Sequence, residues 1–299
     1  MSSVEAAPPT ANVRSWFGPV LVLLGGIGVG FAPIGLRLSE MGPQTTAMWR
    51  YTFALPMVFL AILVVERRLP RRPDRFAVWA GLFFAVDIGL WHWGLTLTTV
   101  ANATFIVNLG NAGVGLAAWL LFKERPAKLW FAAAAAALMG AALLSQGGSA
   151  DGRARIEGDL LALAAAVMVV GYMICAKRAR DGVGGLDLLF WMTLVEIPVA
   201  ASMGLLAGED FVPPSLQALW PLLFLAFAAH LCGQGFIMAG LGRTSAAAAG
   251  LLILVQPLTA AAISWRLFDE PLTGVQMFGA FLILLAIYAA QATGRSKPS

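Results

Sequence analysis

Four ionisable side chains, Arg50, Asp87, Glu196 and His230, stand inside runs of apolar residues. A charge at bilayer depth costs about 2.5–3.5 kcal/mol on insertion scales, so such groups turn toward protein or trapped water and mark functional positions. Burial disfavours a charged carboxylate, which makes Asp87 and Glu196 candidates for binding and releasing a proton. Each also has a plainer reading. Arg50 can snorkel or lock a helix bundle, and Glu196 can be a neutral, hydrogen-bonded structural acid. These two are assigned gating or structural roles, while Asp87 and His230 are assigned to a cavity wall.

Uncharged polar residues add a pattern. Thr104, Asn108, Asn111 and Gly115 recur at intervals of four, three and four, which places them on one helical stripe. Such a stripe suits either a wet cavity or hydrogen bonds between helices. His230 and Gln234 share a face by the same rule, as do Asp87 and Trp91, with His92 beside them. Gln256 precedes Pro257, which deprives a carbonyl four residues back of its helical partner. Tyr172 lies well inside its apolar run, where an aromatic body with a polar tip suits an amphipathic solute. Cavity and interfacial belt compete for Trp91, whereas Trp16, Trp130 and Trp220 read as belt residues near the ends of apolar runs.

The elements that must hold these residues are helices in lipid. The chain of 299 residues is 59% hydrophobic and 12% charged, with a mean hydropathy of +0.79. Those charges are too few to cover a soluble globule of this size. Most of them fall between ten apolar runs of about twenty residues, the length of a membrane-spanning helix: 16–38, 45–65, 76–97, 100–122, 129–147, 158–177, 187–207, 216–241, 246–267 and 272–292. Short connections leave no room for a soluble domain, and only helices satisfy their own backbone in lipid. The expected fold is an all-α integral membrane protein of ten transmembrane helices around a central cavity.

Residues 1–15 form a polar tail expected to be disordered, 148–157 an external linker, and 293–299 a short basic tail. The first run lacks a basic lead-in and a small-residue cleavage site, so it reads as an uncleaved helix. Cys175 and Cys232 sit inside apolar runs, and the two histidines of the chain, His92 and His230, occupy different ones. No metal or cofactor is expected, and an intramembrane enzyme lacks its machinery here. A receptor or a structural membrane protein is the other alternative.

The positive charges set the orientation. With both termini cytoplasmic, fifteen Lys and Arg residues fall on inner segments and four on outer ones, with Arg50 inside a span. That bias obeys the positive-inside rule and accounts for the net charge of +4 without nucleic acid.

The chain also repeats itself. Shifted by 146, the block 98–126 lays Thr98 on Thr244, Trp119 on Trp265, Phe122 on Phe268 and Glu124 on Glu270; a shift of 142 pairs Trp49 with Trp191 and Pro56 with Pro198. The halves are 16–147 and 158–292. Five spans per half make them enter from opposite sides, an inverted repeat suited to alternating access.

On this block, with its terminal Glu124-Arg-Pro126 and Glu270-Pro271, and on Trp49-Arg50 and Pro257, the chain resembles the EamA-type members of the drug/metabolite transporter superfamily over about 16–292. The resemblance implies ten helices in two inverted five-helix repeats, and export of amino acids (aromatic or broad-range) or similar small metabolites, with export of drugs as an alternative. It carries Glu124 and Glu270 over as helix-end structural acids. Asn111 stands where the second half has Pro257, so the halves need not gate alike. The expected setting is the inner membrane, with a small-molecule substrate, the bilayer as the other partner and a monomeric chain.

Overall fold

A computed structural model describes residues 14–98, 100–123, 125–145 and 156–293. The tail expected over 1–15, the linker over 148–157 and the tail over 293–299 lie almost wholly outside the described residues, as does Glu124. Among the described residues all regular structure is helical. Ten helical spans follow in order: α1 (Trp16–Leu38), α2 (Pro43–Glu66), α3 (Arg75–Leu97), α4 (Val100–Phe122), α5 (Lys128–Ser145), α6 (Ile156–Ala179), α7 (Gly185–Ala207), α8 (Leu219–Leu241), α9 (Ala246–Phe268) and α10 (Gly274–Thr293). Nine are long and apolar enough to cross a membrane, and the apolar part of α10, Gly274–Ala290, is shorter. The end of the bundle holding Arg14 and Thr293 is called the near end below, and the other the far end.

The repeat is visible in the packing. α3 lies on α6 as α8 lies on α1; α4 lies on α6 as α9 lies on α1; α2 meets α7, and α5 meets α10. Each pairing maps onto another, or onto itself, when the halves are exchanged. The helix ends agree, because Lys123 after α4 and Asp269 after α9, 146 apart, both turn into the left-handed region at φ 57° and 52°.

The α2–α7 pair is tied at both ends by the same device. At the far end Glu209 accepts hydrogen bonds from the backbone of Thr45 (2.7 Å) and Gln44 (3.2 Å) and from the Thr45 hydroxyl (2.9 Å), while Trp49 Nε1 donates to Phe211 O at 2.9 Å. At the near end Asp187 accepts from Arg68 (2.6 and 2.9 Å) and from Arg71 N (3.0 Å), and Trp191 Nε1 donates to Arg71 O at 2.6 Å. Thr45 and Asp187 are repeat equivalents, as are Trp49 and Trp191. Each helix start is therefore clamped to the segment that follows the other helix.

Glu209 satisfies two of the orphan N–H groups at the start of α2 and sits at the positive end of its dipole. Glu209→Ala is expected to cost about 1 kcal/mol of stability, the usual worth of a helix cap. Glu270, a half-exposed partner of Arg37 at 2.7 Å, is expected to cost well under that when changed to Gln. Thermal unfolding of the purified protein in detergent checks both.

The helices differ in regularity. α1 breaks at Gly30-Phe31, where Phe31 N bonds Gly28 O at 3.2 Å, and resumes with Pro33 in its first turn. α9 breaks at Leu254, whose N–H reaches back only three residues to Leu251 O; Pro257 then frees the carbonyl of Ile253. α8 is wound as a π-helix over Leu225–Gln234, a winding that recurs at functional sites. Their repeat partners α6, α4 and α3 run without a break. α1 and α8 touch backbone to backbone: a Cβ added at Gly233 would lie 2.8 Å from Val29 N, and one at Gly28 would lie 2.7 Å from Gly233 Cα.

Candidate functional site

A cavity of about 170 Å³ lies at the centre of the bundle, walled by α1, α2, α3, α4, α6, α8 and α9. α5 and α10 stand outside it, packed on each other. The lining is mostly apolar. Its shallow members Leu36, Thr46, Trp91, His92, Thr104 and Ala260 come from the far-end portions of their helices, and Tyr172, Gln234 and Ile253 from deeper positions. Toward the near end the bundle is closed: Lys177 Nζ donates to Leu241 O (3.0 Å) and Thr244 O (2.8 Å), and Arg180 Nε to Met238 O (2.7 Å).

The polar stripe of α4 faces this space. Asn108 Nδ2 donates to Thr104 O at 2.9 Å, and Asn111 Nδ2 to Asn108 Oδ1 at 3.2 Å. The stripe ends at Asn111, because Gly115 instead makes room for the Trp130 ring. Across the cavity Tyr172 OH donates to Gln234 Oε1 at 3.0 Å, and the Tyr172 ring packs on Phe84 with centroids 5.0 Å apart. Gln256 and Pro257 line the wall at the α9 break.

A guanidinium and a carboxyl group complete the lining. Arg50 is 8% exposed and Asp87 5%. Arg50 Nη2 donates to Tyr51 OH at 2.6 Å, with its guanidinium carbon 4.6 Å from the Tyr51 ring centroid. Arg50 Nε, Asp87 Oδ1, Trp91 Nε1 and His92 Nδ1 are buried without a hydrogen-bond partner. Arg50, Asp87 and Trp91 line the cavity while a guanidinium N–H, a carboxyl oxygen and an indole N–H of theirs stay buried and unsatisfied, polar capacity that small side-chain turns can bring to a solute.

The expected cavity residues Asp87, Trp91, His92, Thr104, Asn108, Asn111, Tyr172, Gln234 and Gln256 all line this space. His230 does not. It lies behind the wall, 1% exposed, with Nε2 2.7 Å from Thr193 Oγ1 and 3.6 Å from Glu196 Oε2. Neighbouring side chains Thr193 and Glu196 of α7 hold it there, on the side of α8 turned away from the cavity. Glu196 is fully buried, as expected of a structural acid, but both its oxygens lack a hydrogen-bond donor. Trp130 is not a belt residue: it is 4% exposed, and its Nε1 donates to Ala247 O at 3.0 Å. Trp16 and Trp220 are about half exposed, as belt residues are.

Sequence reading passed over Tyr51 and Thr193. Both carry signals in retrospect: Tyr51 follows Arg50 directly, and Thr193 stands three residues before Glu196, on the same helical face.

The comparisons agree with this geometry. The model of the EamA-like transporter family matches residues 16–146 and 156–290, one match for each half of the bundle. The chain is 30% identical to a protein of Salmonella typhimurium (strain LT2) named "Probable amino-acid metabolite efflux pump", with 87% of this chain and 89% of that protein covered. It is 28% identical over the same shares to an Escherichia coli (strain K12) protein of that name. A crystal structure sharing 19% identity superposes with a TM-score of 0.78 over 94% of this chain and 98% of the other, and so shares the fold. The protein is thus a multi-pass membrane exporter of small metabolites and not an enzyme. With both halves of the bundle matched, the chain belongs to the EamA-like transporter family.

Proposed function

We propose that the cavity carries amino acids, or zwitterionic metabolites close to them, out of the cell. The observation that carries this reading is the pairing of Arg50 and Asp87 in one mostly apolar chamber, each with a polar atom unsatisfied. A guanidinium recognises a carboxylate through directed N–H bonds, and a carboxylate accepts from an ammonium group. The Asn108–Asn111 amides offer neutral hydrogen bonds beside them, and Phe84, Trp91 and Tyr172 offer ring surfaces to a side chain, which suits aromatic and broad-range substrates. The volume is below the roughly 300–1,000 Å³ of sites for drug-sized ligands, which favours small solutes over bulky drugs. The names of the two enterobacterial relatives point the same way.

The positive-inside bias puts the near end, with both termini, in the cytoplasm. The cavity then faces outward, and the inverted halves supply the inward-facing form by exchanging conformations. The chamber is enclosed by one chain, so a monomer suffices.

Counterflow of radiolabelled amino acids into liposomes containing only this protein tests the reading. Accumulation is expected with free amino acids and is expected to fail with their N-acetyl and methyl-ester derivatives, which lack one of the two charges. Asn111→Ala and Tyr172→Ala are expected to shift the preference among amino acids. Counterflow of drugs with none of any amino acid overturns it.

A further inference from the structure

Behind the cavity wall, Glu196 and His230 form a cluster that transport chemistry alone does not require. Glu196 is 0% exposed at mid-span in α7, and neither of its oxygens meets a donor. The His230 tautomer follows from its neighbour. The Thr193 hydroxyl has one proton, which it gives to Leu189 O at 2.7 Å. Thr193 Oγ1 therefore accepts from His230 Nε2–H at 2.7 Å. That leaves Nδ1 as the bare nitrogen, buried and unpartnered. The cluster holds three acceptor atoms without donors: two carboxylate oxygens and one imidazole nitrogen.

The charges around it do not balance unaided. Arg50 and Tyr51 from α2, Tyr172 from α6 and His230 from α8 surround Glu196, and Arg50 also stands near Asp87 of α3 and His92. One fixed cation thus stands against two carboxyl groups. A second uncompensated carboxylate in this interior is strongly disfavoured, so the group around Arg50 is neutral only when either Asp87 or Glu196 is protonated.

A bound zwitterion decides where that proton sits. Its ammonium group needs Asp87 ionised, and its carboxylate occupies Arg50. Glu196 then has no cation left and must be neutral.

We propose that Glu196, served by His230, is a proton-binding site, and that the cavity accepts its zwitterionic cargo only while Glu196 holds the proton. The transfer balances: hydronium gives a proton to His230 Nδ1 and leaves as water, the Nε2–H bond breaks, an O–H bond forms at Glu196 Oε2, and the imidazole is left as its neutral Nδ1–H tautomer. The site retains one proton whether or not cargo is bound, so a proton gradient does not drive net flux, whereas alkaline pH stops transport. The proposal rests on the amino-acid reading for its cargo, and on the α2–α3–α7–α8 geometry for its site.

Two measurements test it. Counterflow at equal pH on both sides is expected to fall about tenfold per pH unit above a midpoint in the native protein. Glu196→Gln, a neutral isostere outside the cavity lining, is expected to transport with no such fall, and Glu196→Asp to restore one. A native profile without the alkaline fall, or the same fall in Glu196→Gln, overturns the proposal. Infrared difference spectra of the substrate-free protein between acid and alkaline pH form the second test. A carboxylic acid C=O band lost at alkaline pH in the native protein, absent in Glu196→Gln and shifted in Glu196→Asp, supports it. A spectrum unchanged by both substitutions overturns it. If no amino acid undergoes counterflow at any pH, the cargo reading falls while the infrared result still decides the proton site. If Glu196→Gln does not fold, the Glu196→Asp band shift decides alone.

Discussion

Arg50→Gln is expected to lower amino-acid counterflow by roughly thirtyfold or more, with a rise in apparent KM and little change in the unfolding midpoint. Losing one partner of a buried, hydrogen-bonded charge pair costs about 2–5 kcal/mol of binding, and about 2 kcal/mol corresponds to roughly thirtyfold in affinity. Glutamine keeps the aliphatic stem and an N–H level with Arg50 Nε, and gives up the Nη2 bond to Tyr51 OH at 2.6 Å, so the helix loses one hydrogen bond and little packing. Arg50→Lys is expected to fall between the two, because a point charge replaces a planar fork that can address both carboxylate oxygens. KM and maximal rate in proteoliposomes, read beside thermal unfolding, check the order native, Lys, Gln. Equal KM in all three would mean that Arg50 holds the bundle and not the substrate.

A large effect on stability is expected at Gly233. A Cβ there would press on Val29 N at 2.8 Å and on Gly28 C at 3.0 Å. These are backbone atoms of a packed helix, and they cannot turn aside as a side chain can. Overpacking of a filled interior costs about 1–3 kcal/mol, so Gly233→Ala is expected to lower the unfolding midpoint clearly, and Gly233→Leu to abolish recovery of monodisperse protein. Gly182 is the control, since a Cβ there meets nothing within 4 Å; Gly182→Ala is expected within about 0.5 kcal/mol of native, as for surface changes generally. Size-exclusion profiles and melting curves of the three variants check this.

Much of the architecture is legible in the chain because lipid simplifies the rules. Helix number and limits follow from the length of apolar runs, and the two-half organisation from the 146-residue register that brings Trp119 onto Trp265. Asn108 and Asn111 are readable as cavity residues because α4 is a regular helix, in which spacing translates into a face. A shared face does not by itself say which neighbour it meets. His230 and Gln234 are four apart, yet His230 is taken up by Thr193 and Glu196 of α7 while Gln234 reaches the cavity wall. Trp130 is hidden from sequence for a different reason. A tryptophan near a span end looks like a belt residue until a glycine on a neighbouring helix, here Gly115, is seen to open a slot for it. The partnerless state of Glu196 was equally unreadable, because donors arrive from helices distant in sequence.

The double clamp on α2 and α7 has a mechanical corollary. Two antiparallel rods fastened at each tip resist splaying and sliding, so the exchange of conformations proposed above would have to turn about them. On that proposal the pair is the axle, and the broken α1 and α9 are the parts with slack to swing.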